Sequence, residues 1–355
     1  MRVIMANRYF LGYLGGVERY IASLAAELGR LGVDVVVCAA GSDALVQFEG
    51  LAVKTVPSQA QLRAFVNRGA DVVHAHLPRN PFSFAAMRAG HKAGMRTVFT
   101  PHAFYPDGSA LKKLAKAVTD LTMTRHTMKI CDTVVNLTPQ DQADSIRNGL
   151  HREKSVIIPN SVSIRELIEL EDKSRDILPP FEQPYVLHVG RFHRVKNIPF
   201  LVRAHRRIPD HHLVLIGQDD GELPAVRELV SQLQLEGRVH ILERADRALV
   251  MAAYMNASAV VLSSRWEGLP TVLLEAMFFG KPFVASDVGG NGWLVERGAP
   301  GMIFKLDDED GYVSSLAAAC RIPASALAGG RALVADEFSW EVNARRLLNI
   351  YAKSN

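Results

Sequence analysis

The sequence predicts an α/β protein built from two doubly wound parallel sheets, and three observations carry that expectation. Short apolar runs alternate with helix-patterned stretches along almost the whole chain. The alternation breaks once, in a charged and then proline-rich stretch closing with Pro179, Pro180 and Pro184, and then restarts. A chain of 355 residues also exceeds what one hydrophobic core ordinarily holds and fits two domains. The expected boundaries are a first domain over 1–162, a linker over 163–184, a second domain over 185–338 and a terminal helix over 339–355.

In the first half, 2–6 reads as a strand and 7–16 as a glycine-containing loop. Val17, Tyr20, Ile21, Leu24, Leu28 and Leu31 then mark one face of a helix closed by Gly32, and 33–38 is the next strand. The loop is not GxGxxG and no acidic residue closes the second strand, so hydride-transfer chemistry has little support. Gly15 and Gly16 instead let backbone approach a ligand closely. Further strands are predicted at 71–74, 97–100, 133–137 and 156–158, between helices near 59–68, 83–93, 109–129 and 140–149. Two of them carry histidines at their carboxyl ends, His74 and His76 on one, His102 on the other. Two alternating histidines with no third ligand read as structural, and no metal is expected. The stretch 111–129 sets Lys112, Lys113, Lys116, Arg125 and Lys129 around an apolar stripe of Leu111, Leu114, Val118 and Leu121. That pattern fits a helix lying on an anionic membrane, and it equally fits a surface helix packed on its own sheet.

The second series places strands at 185–189, 212–216, 238–242, 259–263, 283–286 and 301–304. Gly190, Arg191 and Lys196 follow the first of them. A glycine bend with two cations five residues apart at a strand's carboxyl end suits a diphosphate, arginine giving a forked contact and lysine a point charge. After the strand at 259–263 the chain reads Arg265-Trp266-Glu267-Gly268-Leu269-Pro270-Thr271-Val272, then enters a helix with Pro270 near its start and Gly280 just past its end. Strand, loop and helix start form the place where α/β folds hold ligands. Because Pro270 has no N–H, Thr271 and Val272 supply the first free amides, which attract phosphate. Glu267 before the helix and Glu275 in its second turn are spaced to address different parts of one elongated ligand. The turn Gly217-Gln-Asp219-Asp220-Gly221 reads as a plain loop.

Composition is that of a globular protein, 48% hydrophobic and 22% charged. No apolar run reaches transmembrane length and no cleavable leader is read at the start, so a cytoplasmic location is expected. Cys38, Cys131 and Cys320 are widely spaced and read as packing residues in a reducing compartment. The net charge of +4 gives no reason to expect a nucleic-acid partner. It is uneven, with 22 basic against 17 acidic residues over 1–180 and 19 against 20 over the rest. The basic half suits a negatively charged acceptor or membrane surface, or simply forms a solvated face.

The pattern Glu267-Gly268-x6-Glu275-Ala276-Met277-x2-Gly280-x-Pro282 resembles the signature of retaining glycosyltransferases of family 4, which have the GT-B architecture. The segment Gly190-Arg191-x4-Lys196-Asn197 resembles the same family's Gly-Arg-x4-Lys-Asn motif, and Gly15-Gly16-Val17-Glu18-Arg19 its N-terminal glycine loop. His102 matches the histidine that faces the donor sugar, with Ala103 where the family has Asp. Ile157-Ile158-Pro159-Asn160 resembles the last strand of the first domain, with Ser161 in place of Gly. Asp287-Val288-Gly289-Gly290 also matches, with Trp293 where Glu is usual.

The resemblance implies two Rossmann-like domains facing across a cleft and a terminal helix that returns to the first. It implies an enzyme, a glycosyltransferase of hexosyltransferase type, moving a sugar with retention from a nucleotide diphosphate sugar to a hydroxyl acceptor, glycan, lipid-linked or small-molecule, in cell-surface polysaccharide or glycoconjugate biosynthesis. Arg191, Lys196, Glu267 and His102 are the expected catalytic residues. The donor lies against Gly15, Gly16, Arg191, Lys196, Glu267, Gly268, Leu269, Pro270, Thr271, Val272 and Glu275, with Glu275 on the ribose and Glu267 on the sugar. No cofactor is implied. Partners are the donor, the acceptor and, through 111–129, the inner membrane face. A nucleotide-sugar epimerase and a non-catalytic nucleotide-sugar-binding subunit are the alternatives.

Overall fold

The structure, a computed structural model, describes residues 1–10, 15–48, 50–102, 104, 110–181 and 184–353, with backbone alone at 110–113. It divides into two compact units, Met1–Ser161 with Trp340–Asn355, and Val162–Ser339. In the first unit β1 (Arg2–Ala6), β2 (Asp34–Ala40), β3 (Ala44–Phe48), β4 (Leu51–Val56), β5 (Val72–His76), β6 (Arg96–Thr100), β7 (Thr133–Asn136) and β8 (Ser155–Ile157) form one sheet in the order β3-β4-β2-β1-β5-β6-β7-β8. Only β3 runs antiparallel to its neighbour. The terminal helix Trp340–Ala352 belongs to this unit, and its Trp340, Ala344, Leu347 and Tyr351 join the core with Val3, Leu24 and Val98.

The second unit holds β9 (Tyr185–Val189), β10 (His212–Ile216), β11 (Val239–Leu242), β12 (Ala259–Leu262), β13 (Phe283–Ser286) and β14 (Gly301–Phe304), all parallel, in the order β11-β10-β9-β12-β13-β14. The chain winds outward from β9 to β11, then returns to β12 on the other side of β9. The loops leaving β9 and β12 therefore diverge at a topological switch point and leave a crevice between them.

Four expectations need correction. The stretch 163–184 carries the helix Ile164–Ser174, capped by the Ser163 hydroxyl and docked into the second unit's core through Leu167, Ile164 and Leu170. Its apolar period is diluted by Glu166, Glu169, Glu171 and Asp172, which is why it reads as linker. The hairpin of β3 and β4 is absent from the expected strands because β3 is a short edge strand with alternating exposure, a pattern that carries little signal. Cys38 and Cys131 are buried, but Cys320 is exposed at the end of the helix Glu309–Ala319 and is no core residue. The stretch 110–130 is helical, passing through one π-helical turn at Asp120–Thr124. Its Leu114, Val118 and Leu121 are 62%, 53% and 68% exposed, so the stripe does not pack on the sheet. Lys112, Lys113 and Leu111 have no described side chains, and Ala103 and the start of the glycine loop at 11–14 lie outside the described residues.

Burial fixes the charge of several histidines. Desolvation drives His74 and His102 down to about 3 and His188 and His205 to about 4, and holds His76 well below its usual range. Above pH 6.5 both folded and unfolded chains hold these rings neutral and the stability is complete. As pH falls below 6.5 the unfolded chain takes up protons that the folded chain refuses, at about 1.4 kcal/mol per ring per pH unit. The urea midpoint is expected to fall steadily from pH 6.5 to pH 4.5. A midpoint constant over that interval would mean that these rings titrate freely in the native state.

Candidate active site

The switch point of the second unit gathers the predicted cations and carboxylates. The chain leaves β9 at Gly190 and turns through a single 3₁₀ turn, Arg194–Lys196, with Asn197 left-handed at φ 52°. The loop leaving β12 clamps that turn: the Arg265 amide donates to the Val195 carbonyl at 2.7 Å, and the Ser263 hydroxyl lies 2.9 and 3.0 Å from the carbonyls of Lys196 and Asn197. The Arg265 guanidinium reaches Asn197 and Asp307, tying the turn from outside. Held this way, Lys196 Nζ donates to Glu267 Oε1 at 2.7 Å, both side chains largely buried.

Backbone packing fixes Glu267 from the other side. Gly289, with φ +56°, lies so close that an added Cβ would meet the Glu267 carbonyl oxygen at 1.9 Å, and the Gly290 amide donates to the Gly268 carbonyl at 2.7 Å. Gly217 approaches the Gly190 carbonyl just as closely. These glycines are required by proximity of two chains. Arg191 is paired with Asp220 on the loop after β10, and the same loop bonds back to Phe192.

The helix Thr271–Phe278 starts beside Glu267. Pro270 is its N-cap rather than its first residue, and no side chain caps it. The opening amides of Thr271 and Val272 thus have no intrahelical acceptor, and they lie at the positive end of the helix dipole. Glu275 is buried in the second turn, where Arg247 donates to its Oε1 at 2.9 Å and also lies 3.7 Å from Glu166. Trp293 stacks edge-on against Phe338 at 5.8 Å and serves the core.

In the first unit Gly15 is the N-cap of the helix Gly16–Arg30, and Glu18 accepts from the Gly15 amide at 3.0 Å and from the Asn7 side chain at 3.1 Å. A Cβ at Gly16 would meet nothing within 4 Å. His102 follows β6 with φ +67° and its Nε2 sits 3.1 Å from Nδ1 of His76. His74 is held between the Tyr351 hydroxyl at 2.6 Å and the Thr100 hydroxyl at 2.7 Å. Among the described residues no group of three His, Cys, Asp or Glu is placed to hold a metal ion. Ser161 is buried and takes a hydrogen bond from Asn343 at 2.8 Å, a tie that glycine would lack.

Comparison with known proteins bears on this arrangement. A model of glycosyl transferases group 1 matches residues 170–326, and a model of glycosyltransferase family 4 matches residues 14–166, so that the two together take in most of the chain. The chain belongs to this glycosyltransferase family. A D-inositol 3-phosphate glycosyltransferase of Xylanimonas cellulosilytica is 25% identical over 97% of this chain and 93% of its own. A galactosyltransferase of Escherichia coli acting on GlcNAc-diphosphoundecaprenol is 29% identical over 46% of this chain and 44% of its own. Among solved structures, the sucrose-phosphate synthase of Thermosynechococcus elongatus has a TM-score of 0.78 at 20% identity over 99% of this chain and 98% of that one. HepE of Anabaena, solved with UDP-glucose, has a TM-score of 0.76 at 20% identity over 98% of both chains. These structures establish the GT-B fold.

In this glycosyltransferase, Lys196 and Glu267 meet directly, and Thr271, Val272 and Glu275 lie on the helix that follows. Arg191 is turned onto Asp220. Gly15, Gly16 and His102 stand on the other unit. Arg247, Asp220, His188 and Ser263 escaped the sequence reading. The only signal for Arg247 was a cation in the helix Arg247–Asn256, with no motif around it. His188 lies buried beneath Gly190, bonded to the Val261 carbonyl at 3.0 Å.

The contrast between two glycines checks this geometry. Gly289→Ala is expected to lower stability by about 2–4 kcal/mol, because backbone cannot yield as a flexible side chain can. Gly16→Ala, with open space around it, is expected to leave the melting temperature within about 1–2 °C of wild type. Equal melting temperatures for all three proteins would show that the chain at Glu267 gives way.

Proposed function

We propose that the chain is a retaining hexosyltransferase that uses a nucleotide diphosphate sugar and a hydroxyl acceptor. The observation that carries this is the convergence of Lys196, Glu267 and the first amides of the helix Thr271–Phe278 at one switch point. The likeness to a galactosyltransferase that uses UDP-Gal and to a structure solved with UDP-glucose supports the donor class.

Negative charge grows on the diphosphate as the glycosidic bond breaks, and the site offers positive groups where it grows. Arg191 leaves Asp220 for the diphosphate, Lys196 supplies a second cation, and the Thr271 and Val272 amides bind the same oxygens. Glu267 takes sugar hydroxyls. Glu275 uses the oxygen that Arg247 leaves open to hold the ribose. His102 touches the sugar, and the acceptor binds near Gly16. Attack from the front face, with the leaving phosphate taking the acceptor proton, fits a site whose carboxylates are engaged by cations and not placed astride a bond. No metal is required, since protein cations do its work. The acceptor is a glycan or lipid-linked hydroxyl in surface polysaccharide or glycoconjugate synthesis. Contact with an anionic membrane through Leu114, Val118 and Leu121 beside Lys116 keeps the enzyme near such an acceptor.

Arg191→Ala is expected to cut turnover roughly 100-fold or more with the fold retained, while excess EDTA leaves wild-type turnover unchanged. Near-normal activity in the variant removes the diphosphate role, and loss to EDTA reversed by magnesium removes the metal-free reading. Sedimentation with phosphatidylglycerol vesicles should carry the wild-type protein down and leave Leu121→Asp in solution. Equal sedimentation of the two would remove the membrane contact.

A further inference from the structure

His74, His76 and His102 form a stack of rings in the first unit, with centroids 4.3 Å apart between His74 and His76 and 5.3 Å between His76 and His102. Tyr20 closes the open side edge-on, 4.7 Å from His102 and 5.8 Å from His76, and Trp340 packs edge-on behind Tyr20 at 4.9 Å. His74 and His76 are fully buried, while His102 keeps 8% of its surface. The His102 Nε2 lies 3.1 Å from His76 Nδ1. The remaining nitrogen of His76, Nε2, is buried and has no partner among the described residues.

We infer that His76 is a positioning residue for His102, its Nδ1–H donating to His102 Nε2 and so fixing His102 as the tautomer that carries its proton on Nδ1. The inference rests on the proposed contact of His102 with the sugar. A neutral imidazole has one donor and one acceptor nitrogen, so two arrangements of the pair are open. If His102 donated, His76 would have to carry its own proton on Nε2, an orphaned N–H in a dry pocket. If His76 donates, its Nε2 is a bare acceptor. Buried orphaned N–H groups are rarer and costlier than unfilled acceptors, so the second arrangement wins. Burial of both rings keeps them neutral throughout the working pH range. His102 then presents a neutral N–H donor to a sugar hydroxyl oxygen and does not act as a base at that nitrogen. The left-handed backbone at His102 is the strain accepted to aim it.

The test is long-range 1H–15N correlation NMR on ligand-free protein labelled at histidine, the His102 signals being assigned by their loss in His102→Gln. Wild type is expected to show His102 protonated on Nδ1. His76→Asn, whose side-chain amide nitrogen takes the place of Nδ1, should keep that tautomer, whereas His76→Leu should shift His102 toward Nε2–H. Turnover should fall roughly 10- to 100-fold in His76→Leu, in kcat more than in KM, and recover in His76→Asn. A wild-type His102 protonated on Nε2, or a His76→Leu spectrum with the tautomer unchanged, overturns the inference. If His76→Leu does not fold, the wild-type and His76→Asn spectra decide it. The expected tautomer together with full turnover in His102→Ala would leave the positioning intact and remove the sugar contact instead.

Discussion

The second unit is arranged around the 2.7 Å contact between the Lys196 ammonium and the Glu267 carboxylate. Neither residue could find the other from its own loop alone. The strand order β11-β10-β9-β12-β13-β14 sets β9 beside β12 and sends their outgoing loops apart, so a cation after one and a carboxylate after the other share a crevice edge. Ser263 and the Arg265 amide then hold the lysine's turn, and Gly289 holds the glutamate's carbonyl side. The side-chain pair is the last contact in a series made mostly of backbone, which explains how two flexible side chains come to have defined positions.

Three cations at this rim have carboxylate partners: Lys196 with Glu267, Arg191 with Asp220, Arg247 with Glu275. Desolvation explains the pairing, because a half-buried charge without a partner costs more than a pair contributes. The pairs differ in how readily they open. Arg191 and Asp220 keep 39% and 36% of their side-chain surface, so water screens their attraction. Glu275 is buried and Arg247 is shared with Glu166, so this pair stays closed. The rim therefore carries one pair that water screens and others that are more deeply buried.

Much of this was legible in the sequence because it depends on short-range pattern. The strands at 185–189, 212–216, 283–286 and 301–304 appear with those bounds, since buried parallel strands are uninterrupted apolar runs. The glycines at 190 and 289 and the pair Arg191 and Lys196 sit where strand ends predict a ligand. What was not legible depends on contacts far along the chain. Arg247 reaches Glu275 over 28 residues and Asp220 reaches Arg191 over 29, and no spacing rule covers either. The helix Ile164–Ser174 was hidden by its own charges, and the exposure of Leu114, Val118 and Leu121 contradicts the rule that an apolar stripe marks a packed face.

The two units solve the same problem, holding polar side chains still, by opposite means. The second uses charge, pairing each cation with a carboxylate at a partly wet rim. The first uses burial, stripping His74, His76 and His102 of water until only the neutral form survives and then fixing each by a hydroxyl or another ring. A neutral hydrogen-bonded stack adds orientation without adding field, whereas ion pairs add field but can exchange partners. Chemistry in which negative charge develops on one reactant requires the field to reside where that charge grows and to be absent where a neutral hydroxyl must be held. The polar groups divide accordingly, paired cations and helix amides on the second unit and buried neutral rings on the first.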